Sequence, residues 1–319
     1  MHLTTTLLLA TSYLSTIHAA KTNETVGASP KRGLVFVPNS KYPSDNQVWV
    51  QPGSDLTWYY NYGTAASPAY SNLTQEEFEF VPMLWGTSTT FLSDIKSLIS
   101  EGRNVTHVLA YNEPDGTSST GGSAISPSVA AANWISQVEP LRELGIKTGA
   151  PAVTGGSGGF TWLSSFFDAC ADLGTNCTVD FIPVHWYGNF EGLASHIGQI
   201  RGTYPNTSIW LTEYALNDSP LPDTQSFFNT SAEYFDRLEY VDRYSYFGSF
   251  RSSVSNVGYN ATMLDQEGRL TDIGAWYLGK SATGNVPKKS AAVGRMGVGM
   301  GVGVSGWCVG VVVLGLVWL

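Results

Sequence analysis

Eight short apolar runs, at 34–37, 57–60, 80–84, 107–111, 148–152, 181–185, 209–212 and 244–247, have the length and the β-branched and aromatic content of buried strands. Five longer stretches, at 87–100, 126–144, 160–173, 193–202 and 225–239, read as helices. In the third, Phe160, Leu163, Phe166 and Phe167 recur at helical spacing, as a face packed on a sheet requires. Short apolar strands alternating with helices predict parallel βα units. Eight such runs in one segment of roughly 260 residues predict an α/β fold, a single-domain (β/α)8 TIM barrel. An open doubly wound sheet would carry a glycine-rich phosphate loop after its first strand. The Gly155 to Gly159 stretch follows the fifth run instead and lacks the lysine of such a loop, so it reads as a flexible βα connection. No repeat, heptad seam or composition break divides the segment.

The two ends follow other patterns. Residues 1–20 are rich in Ser, Thr and Leu, with an apolar stretch from Leu7 to Leu14 and small residues at Ala19 and Ala20. That is the layout of a secretory signal peptide cleaved near Ala20, although the usual basic start is replaced by His2. Residues 21–30 then form a short N-terminal segment, and 31–280 the barrel domain. Asn-X-Ser/Thr sequons begin at Asn23, Asn72, Asn104, Asn176, Asn206, Asn217, Asn229 and Asn260, a number that fits a glycosylated, secreted chain.

At the other end, 302–319 is an uncharged apolar run, preceded by a spacer with Arg295 and by the small triplet Ser290, Ala291 and Ala292. This order is that of a glycosylphosphatidylinositol attachment signal. Residues 281–290 would be a linker ending at the anchored Ser290, with Gly284 and Asn285 as alternatives, and 291–319 would be removed. A tail-end transmembrane helix lacks the basic residues that would hold a cytoplasmic end. A buried core helix is disfavoured by glycine at alternate positions from Gly297 to Gly303. The expected product is secreted and held at the plasma membrane or cell wall through a lipid anchor alone.

Cys308 falls in the tail, which leaves Cys170 and Cys177 to form one local disulfide in an oxidising compartment, the alternative being two unlinked buried thiols. Neither cysteine has a partner two residues away and the five histidines are scattered, so no metal site and no cofactor is expected. A net charge of −9 without a Lys/Arg cluster excludes nucleic acid as a partner. Charged and aromatic residues each make up 13% of the chain, a balance that suits a neutral polymer better than an ionic one. The chain is expected to act as a monomer.

Two glutamates end strand-like runs among polar neighbours: Glu113 in His107-Val-Leu-Ala-Tyr-Asn-Glu-Pro-Asp115, and Glu213 in Ser208-Ile-Trp-Leu-Thr-Glu-Tyr-Ala215. Parallel barrel strands present catalytic residues at their C-terminal ends. A carboxylate pair facing one cleft is what glycosidic bond cleavage requires. Six runs in barrel order carry a resemblance: Lys31-Arg-Gly-Leu34, Trp58-Tyr-Tyr-Asn-Tyr62, Val81-Pro-Met-Leu-Trp-Gly86, Asn112-Glu-Pro-Asp115, Val184-His-Trp-Tyr-Gly188 and Thr212-Glu-Tyr214. Together they resemble glycoside hydrolase family 128, the fungal and bacterial β-1,3-glucanases. The second run departs from the family at Tyr62, where tryptophan is the expected residue.

The resemblance implies a retaining endo-β-1,3-glucanase that acts on cell-wall β-1,3-glucan by double displacement. Glu213 would be the nucleophile and Glu113 the acid/base. Asn112 would donate to the sugar 2-hydroxyl, Tyr187 would hydrogen-bond Glu213, and His185 would do the same or pack. Trp58, Tyr60, Trp85 and Trp186 are expected at C-terminal strand ends as stacking surfaces for pyranose rings, with Asn61 and Asp115 taking hydroxyls. Trp134, Trp162 and Trp210 are assigned to the core. Fold does not fix function, so a non-catalytic glucan-binding wall protein and a β-glucan transglycosylase stand as alternatives.

Overall fold

The computed structural model describes residues 29–289. The expected signal peptide, the anchor residue Ser290 and the apolar tail lie outside the described residues. Nine parallel strands run through the centre: β1 (Gly33–Val35), β2 (Trp58–Tyr60), β3 (Glu79–Phe80), β4 (Met83–Leu84), β5 (His107–Asn112), β6 (Lys147–Ala152), β7 (Phe181–Tyr187), β8 (Ser208–Ala215) and β9 (Val241–Tyr246). Six α-helices accompany them among the described residues: α1 (Phe91–Ser100), α2 (Pro127–Gln137), α3 (Ser157–Asp172), α4 (Phe190–Thr203), α5 (Leu221–Arg237) and α6 (Asp272–Tyr277).

The strands form two parallel sheets, β1-β2-β3 and β4-β5-β6-β7-β8-β9, and the expected closed barrel ladder is not present among the described residues. One break falls inside the third apolar run, which divides into β3 and β4 around Val81-Pro82. Proline has no N–H to give to a ladder. The chain still spans the gap, because the Val81 N–H reaches the Tyr59 carbonyl and the Pro82 carbonyl accepts from the Leu109 N–H, both at 2.9 Å. At the opposite edges β9 and β1 meet through one parallel bridge between Arg32 and Tyr244. Both sheets therefore present their strand C-terminal ends on the same side.

Helix boundaries differ from the pattern where local chemistry intervenes. The stretch 126–144 divides into α2 and a 3-10 turn at Glu139–Leu144. Pro140 explains the break, because it has no N–H to give to the Ser136 carbonyl and its ring would crowd that group in a continuing α-helix. The glycines read as a loop partly join a helix, since α3 starts at Ser157 and Gly159 lies within it. A Cβ at Gly159 would stand 2.6 Å from the Thr154 carbonyl, so the close approach of helix to strand end needs glycine there. Ser126 caps α2 by accepting from the Val129 N–H. The short α6 has no counterpart in the sequence pattern.

Aromatic rings fill the interior toward the strand N-terminal ends. Phe181 stacks on Trp210 with centroids 3.9 Å apart, Trp210 meets Trp58 at 5.3 Å and His107 at 5.1 Å, and the Arg243 guanidinium lies 4.3 Å over Trp210. Arg243 is held by Glu79 at 2.6 Å, and Glu79 also accepts from Thr106 at 2.7 Å. This buried cluster closes the end of the molecule away from the paired glutamates. Trp134, Trp162 and Trp210 are all buried, as assigned. Cys170 of α3 is bonded to Cys177 in the loop before β7, which staples that connection.

Candidate active site

Each glutamate sits near the C-terminal end of its strand. Glu213 lies inside β8, is 4% exposed, and follows a run of buried residues from Ile209 onward. Glu113 comes one residue after β5, half-buried, with a left-handed φ of 41°. Such backbone is uncommon for a residue with a side chain and costs free energy, so the surrounding bonds must impose it. The Glu113 N–H donates to the Ala152 carbonyl at 2.7 Å and its carbonyl accepts from the Gly116 N–H at 2.8 Å, which fixes the turn.

The Glu213 carboxylate is hydrogen-bonded on both oxygens. Tyr187 donates to Oε2 at 2.5 Å and Tyr62 to Oε1 at 2.7 Å. Tyr60 donates to the Thr212 carbonyl at 3.0 Å and places its hydroxyl 3.4 Å from the same Oε1. Burial, then the charge of Glu213, pushes the phenols of Tyr60, Tyr62 and Tyr187 well above their ordinary range, so all three remain protonated donors.

His185 links the two carboxyl groups. Its Nδ1 lies 3.0 Å from Glu113 Oε1 and 3.5 Å from Glu213 Oε2, and the ring is 1% exposed. When both carboxyl groups are ionised only lone pairs face Nδ1, and it then carries the proton. Burial alone would lower the imidazole pKa, but the charge of Glu213 and the hydrogen bond and charge of Glu113 outweigh it and hold the pKa above its ordinary value. One ligand-type atom from each of Glu113, His185 and Glu213 lies within 4.8 Å of the other two, a grouping that also has the composition of a cation site. The donor set argues for protons instead. Tyrosine O–H groups already occupy both oxygens of Glu213, and a ring N–H stands where a cation would have to be.

Other residues expected at the site are placed as follows. Asn112 is buried beside Glu113, with Nδ2 donating to the Gly121 carbonyl at 3.0 Å and Oδ1 without a protein partner. Trp85 is 38% exposed just past β4, and its carbonyl accepts from the Asn112 N–H at 2.9 Å, so its open ring stands next to the Glu113 strand end. Trp186 is half-buried, with its ring 5.3 Å from His196 and its indole N–H on the Asn189 carbonyl at 3.1 Å. Its ring is thus partly used in packing the end of β7 against α4.

Four residues do different work from that expected. Tyr60 ends β2 as expected, but it is fully buried with its hydroxyl on the Thr212 carbonyl, so its ring is not a stacking surface. Trp58 begins β2 rather than ending it and is 1% exposed, so it belongs to the interior cluster with Trp210 and is not a stacking surface. Asp115 has both oxygens taken by Thr154, at 2.9 Å from its N–H and 2.5 Å from its hydroxyl, and ties the loop after β5 to the end of β6. Asn61 spans its own loop, accepting from the Gly63 N–H and donating to the Ala65 carbonyl. Tyr62 was missed as a site residue. The signal was present in the alternation Trp58, Tyr60, Tyr62, which puts three rings on one side of an extended segment.

Paired carboxyl groups at parallel strand ends, one of them wrapped in hydroxyl donors, are the equipment of a glycoside hydrolase. A family model described as the glycosyl hydrolase catalytic core matches residues 33–277. The chain is 33% identical over 260 residues to Alkali-sensitive linkage protein 1 of Schizosaccharomyces pombe, covering 78% of this chain and 44% of that protein. It thus spans less than half the length of that curated relative. Among solved structures, a curdlan-specific exo-β-1,3-glucanase of glycoside hydrolase family 128 from Blastomyces gilchristii is similar with a TM-score of 0.61 and 25% identity, over 79% of this chain and 98% of that one. An endo-β-1,3-glucanase of the same family from Lentinula edodes gives a TM-score of 0.63 and 26% identity, over 78% and 99%. The chain belongs to the glycosyl hydrolase catalytic core family and, within it, to glycoside hydrolase family 128.

Proposed function

We propose that this chain is an endo-acting β-1,3-glucanase that cleaves with retention of configuration. The observation that carries this reading is the convergence of Glu113, His185 and Glu213 within 4.8 Å. Retaining enzymes keep their carboxyl groups about 5–5.5 Å apart, whereas inverting enzymes need about 6.5–9.5 Å to admit a water between them. Glu213 attacks the anomeric carbon while Glu113 gives its proton to the leaving oxygen. Glu113 then takes a proton from the water that breaks the glycosyl–Glu213 bond. Tyr62 and Tyr187 hold Glu213 oriented through the first step, and His185 stabilises whichever carboxyl group bears charge. Asn112 retains a second Nδ2 proton for the sugar 2-hydroxyl, and Trp85 supplies a ring face for a pyranose. The two sheets act as the two arcs of a (β/α)8 barrel. β-1,3-Glucan as the substrate rests on the family-128 glucanases above. Secretion and a lipid anchor at the plasma membrane or wall rest on the sequence patterns at the two ends.

The test is reducing-end release from linear β-1,3-glucan by the purified protein, with β-1,4-glucan as control and Glu213→Gln beside it. Release from the β-1,3 polymer alone, abolished by the substitution, with the β-anomer seen first by NMR, supports the reading. Glucan binding without release by the folded wild type would make the chain a binding protein. Products longer than the starting oligosaccharide would make it a transglycosylase.

A further inference from the structure

The sequons are not scattered over the fold. Among the described residues, Asn72, Asn104, Asn176 and Asn206 are all exposed, and each lies in a segment that leads back into a strand. Asn104 is between α1 and β5, Asn176 between α3 and β7, and Asn206 between α4 and β8. Asn72 is on the return toward β3, in the segment that Gln75 fixes to Arg103 at 3.0 Å just beyond α1. All strands are parallel, so segments entering strands lie at the end opposite Glu113 and Glu213.

The remaining described sequons are obstructed. Asn260 uses Nδ2, the atom a glycan would occupy, to donate to the Ser219 carbonyl at 2.9 Å. Asn229 is inside α5 next to the buried Phe228, half-buried, with its Oδ1 sealed from solvent. Asn217, the one exposed sequon just past β8, reads Asn217-Asp-Ser-Pro220, and the proline removes the conformational freedom of Ser219 that the acceptor turn needs.

We propose that Asn72, Asn104, Asn176 and Asn206 carry N-linked glycans that cover the strand N-terminal face, and that Asn217, Asn229 and Asn260 are left bare, so the face with the paired glutamates stays open to polymer. In each transfer Nδ2 forms a bond to the anomeric carbon of an oligosaccharide carried on a polyprenyl diphosphate. The bond from that carbon to the diphosphate oxygen breaks, the diphosphate leaves with the electron pair, and the amide loses one proton. A bulky hydrated chain at four positions makes that face unfit for protein contact. The proposal rests on the secretory part of the reading above.

The experiment expresses the full chain through a yeast secretory pathway, releases glycans with an amidase in 18O-water, and maps each asparagine by mass spectrometry alongside the redox state of Cys170 and Cys177. The expected result is 18O-aspartate at residues 72, 104, 176 and 206 and unlabelled asparagine at 217, 229 and 260. Label at 217 or 260 in active protein, or no label at the four in a chain whose cysteines are bonded, overturns the proposal alone. No label anywhere together with free thiols overturns export and the proposal with it. Glucan release by the variant carrying Asn→Gln at all four positions is expected within twofold of wild type.

Discussion

Tyr62 meets Glu213 through a single short contact, its hydroxyl 2.7 Å from Oε1, from a residue whose own backbone is left-handed at φ 63°. A hydrogen bond to a charged group contributes about 1.5–3 kcal/mol. Tyr62→Phe is therefore expected to lower kcat on β-1,3-glucan by about 10- to 100-fold, with KM little changed. Steady-state kinetics check this. An unchanged kcat would leave Tyr62 as a packing residue.

His185 makes stability at the site depend on pH. Its folded-state pKa is raised above the ordinary value near 6.5, so its contribution is fully present below about pH 6.5 and is lost as pH rises through the folded value. The excess stability of wild type over His185→Gln should therefore shrink as pH rises from the acid side. Urea unfolding midpoints at a series of pH values measure the difference.

Glu79 behaves in the opposite sense at the other end of the molecule. Its burial opposes ionisation, but hydrogen bonding to His107 and the charge of Arg243 prevail and bring its pKa to about 2. The stabilisation is present above the unfolded value near 4.5 and disappears as pH falls through about 2, and it is on the order of 3 kcal/mol. Glu79→Gln should lose that amount at neutral pH and flatten the acid arm of the stability curve. Chemical denaturation between pH 2 and pH 7 tests both statements.

Gly33 offers a test of the packing at the base of the cluster. A Cβ there would stand 2.0 Å from Cε2 of Trp58, whereas a Cβ at Gly158 in α3 meets nothing within 4 Å. Gly33→Ala should destabilise by roughly 1–3 kcal/mol. Gly158→Ala should be neutral or gain up to about 1 kcal/mol from helix propensity. Thermal unfolding of the two variants side by side reads the contrast.

The sequence carried the paired glutamates because each is a carboxylate that closes a continuous run of strand-forming residues, a signal that needs no knowledge of neighbours. Height along a strand was harder to read. Trp58, Tyr60 and Tyr62 share one side by simple alternation, yet only the pairing of Trp58 with Gly33 and Glu79 puts it at the bottom and leaves Tyr62 at the level of Glu213. Trp58 was misplaced for that reason, and Tyr62 overlooked. Asp115 and Asn61 have the right chemistry for sugar hydroxyls, but Thr154 and the Gly63 N–H lie closer and take their oxygens. The split between β3 and β4 was visible in Pro82 itself, a residue that a ladder position seldom tolerates.

Tyr62, Tyr111 and Glu113 all hold left-handed backbone, with φ of 63°, 45° and 41°, and all three lie in or beside the two loops that carry donors and acid to the cleft. None would adopt that conformation unaided, so the working geometry persists only while the packed strands beneath enforce it. Those loops stand among the first parts of the molecule to relax when the whole is weakened. Under gentle heating or dilute urea, hydrolytic rate should fall while ellipticity is still intact, and any distant core substitution that loosens the strands should show itself first as lost turnover.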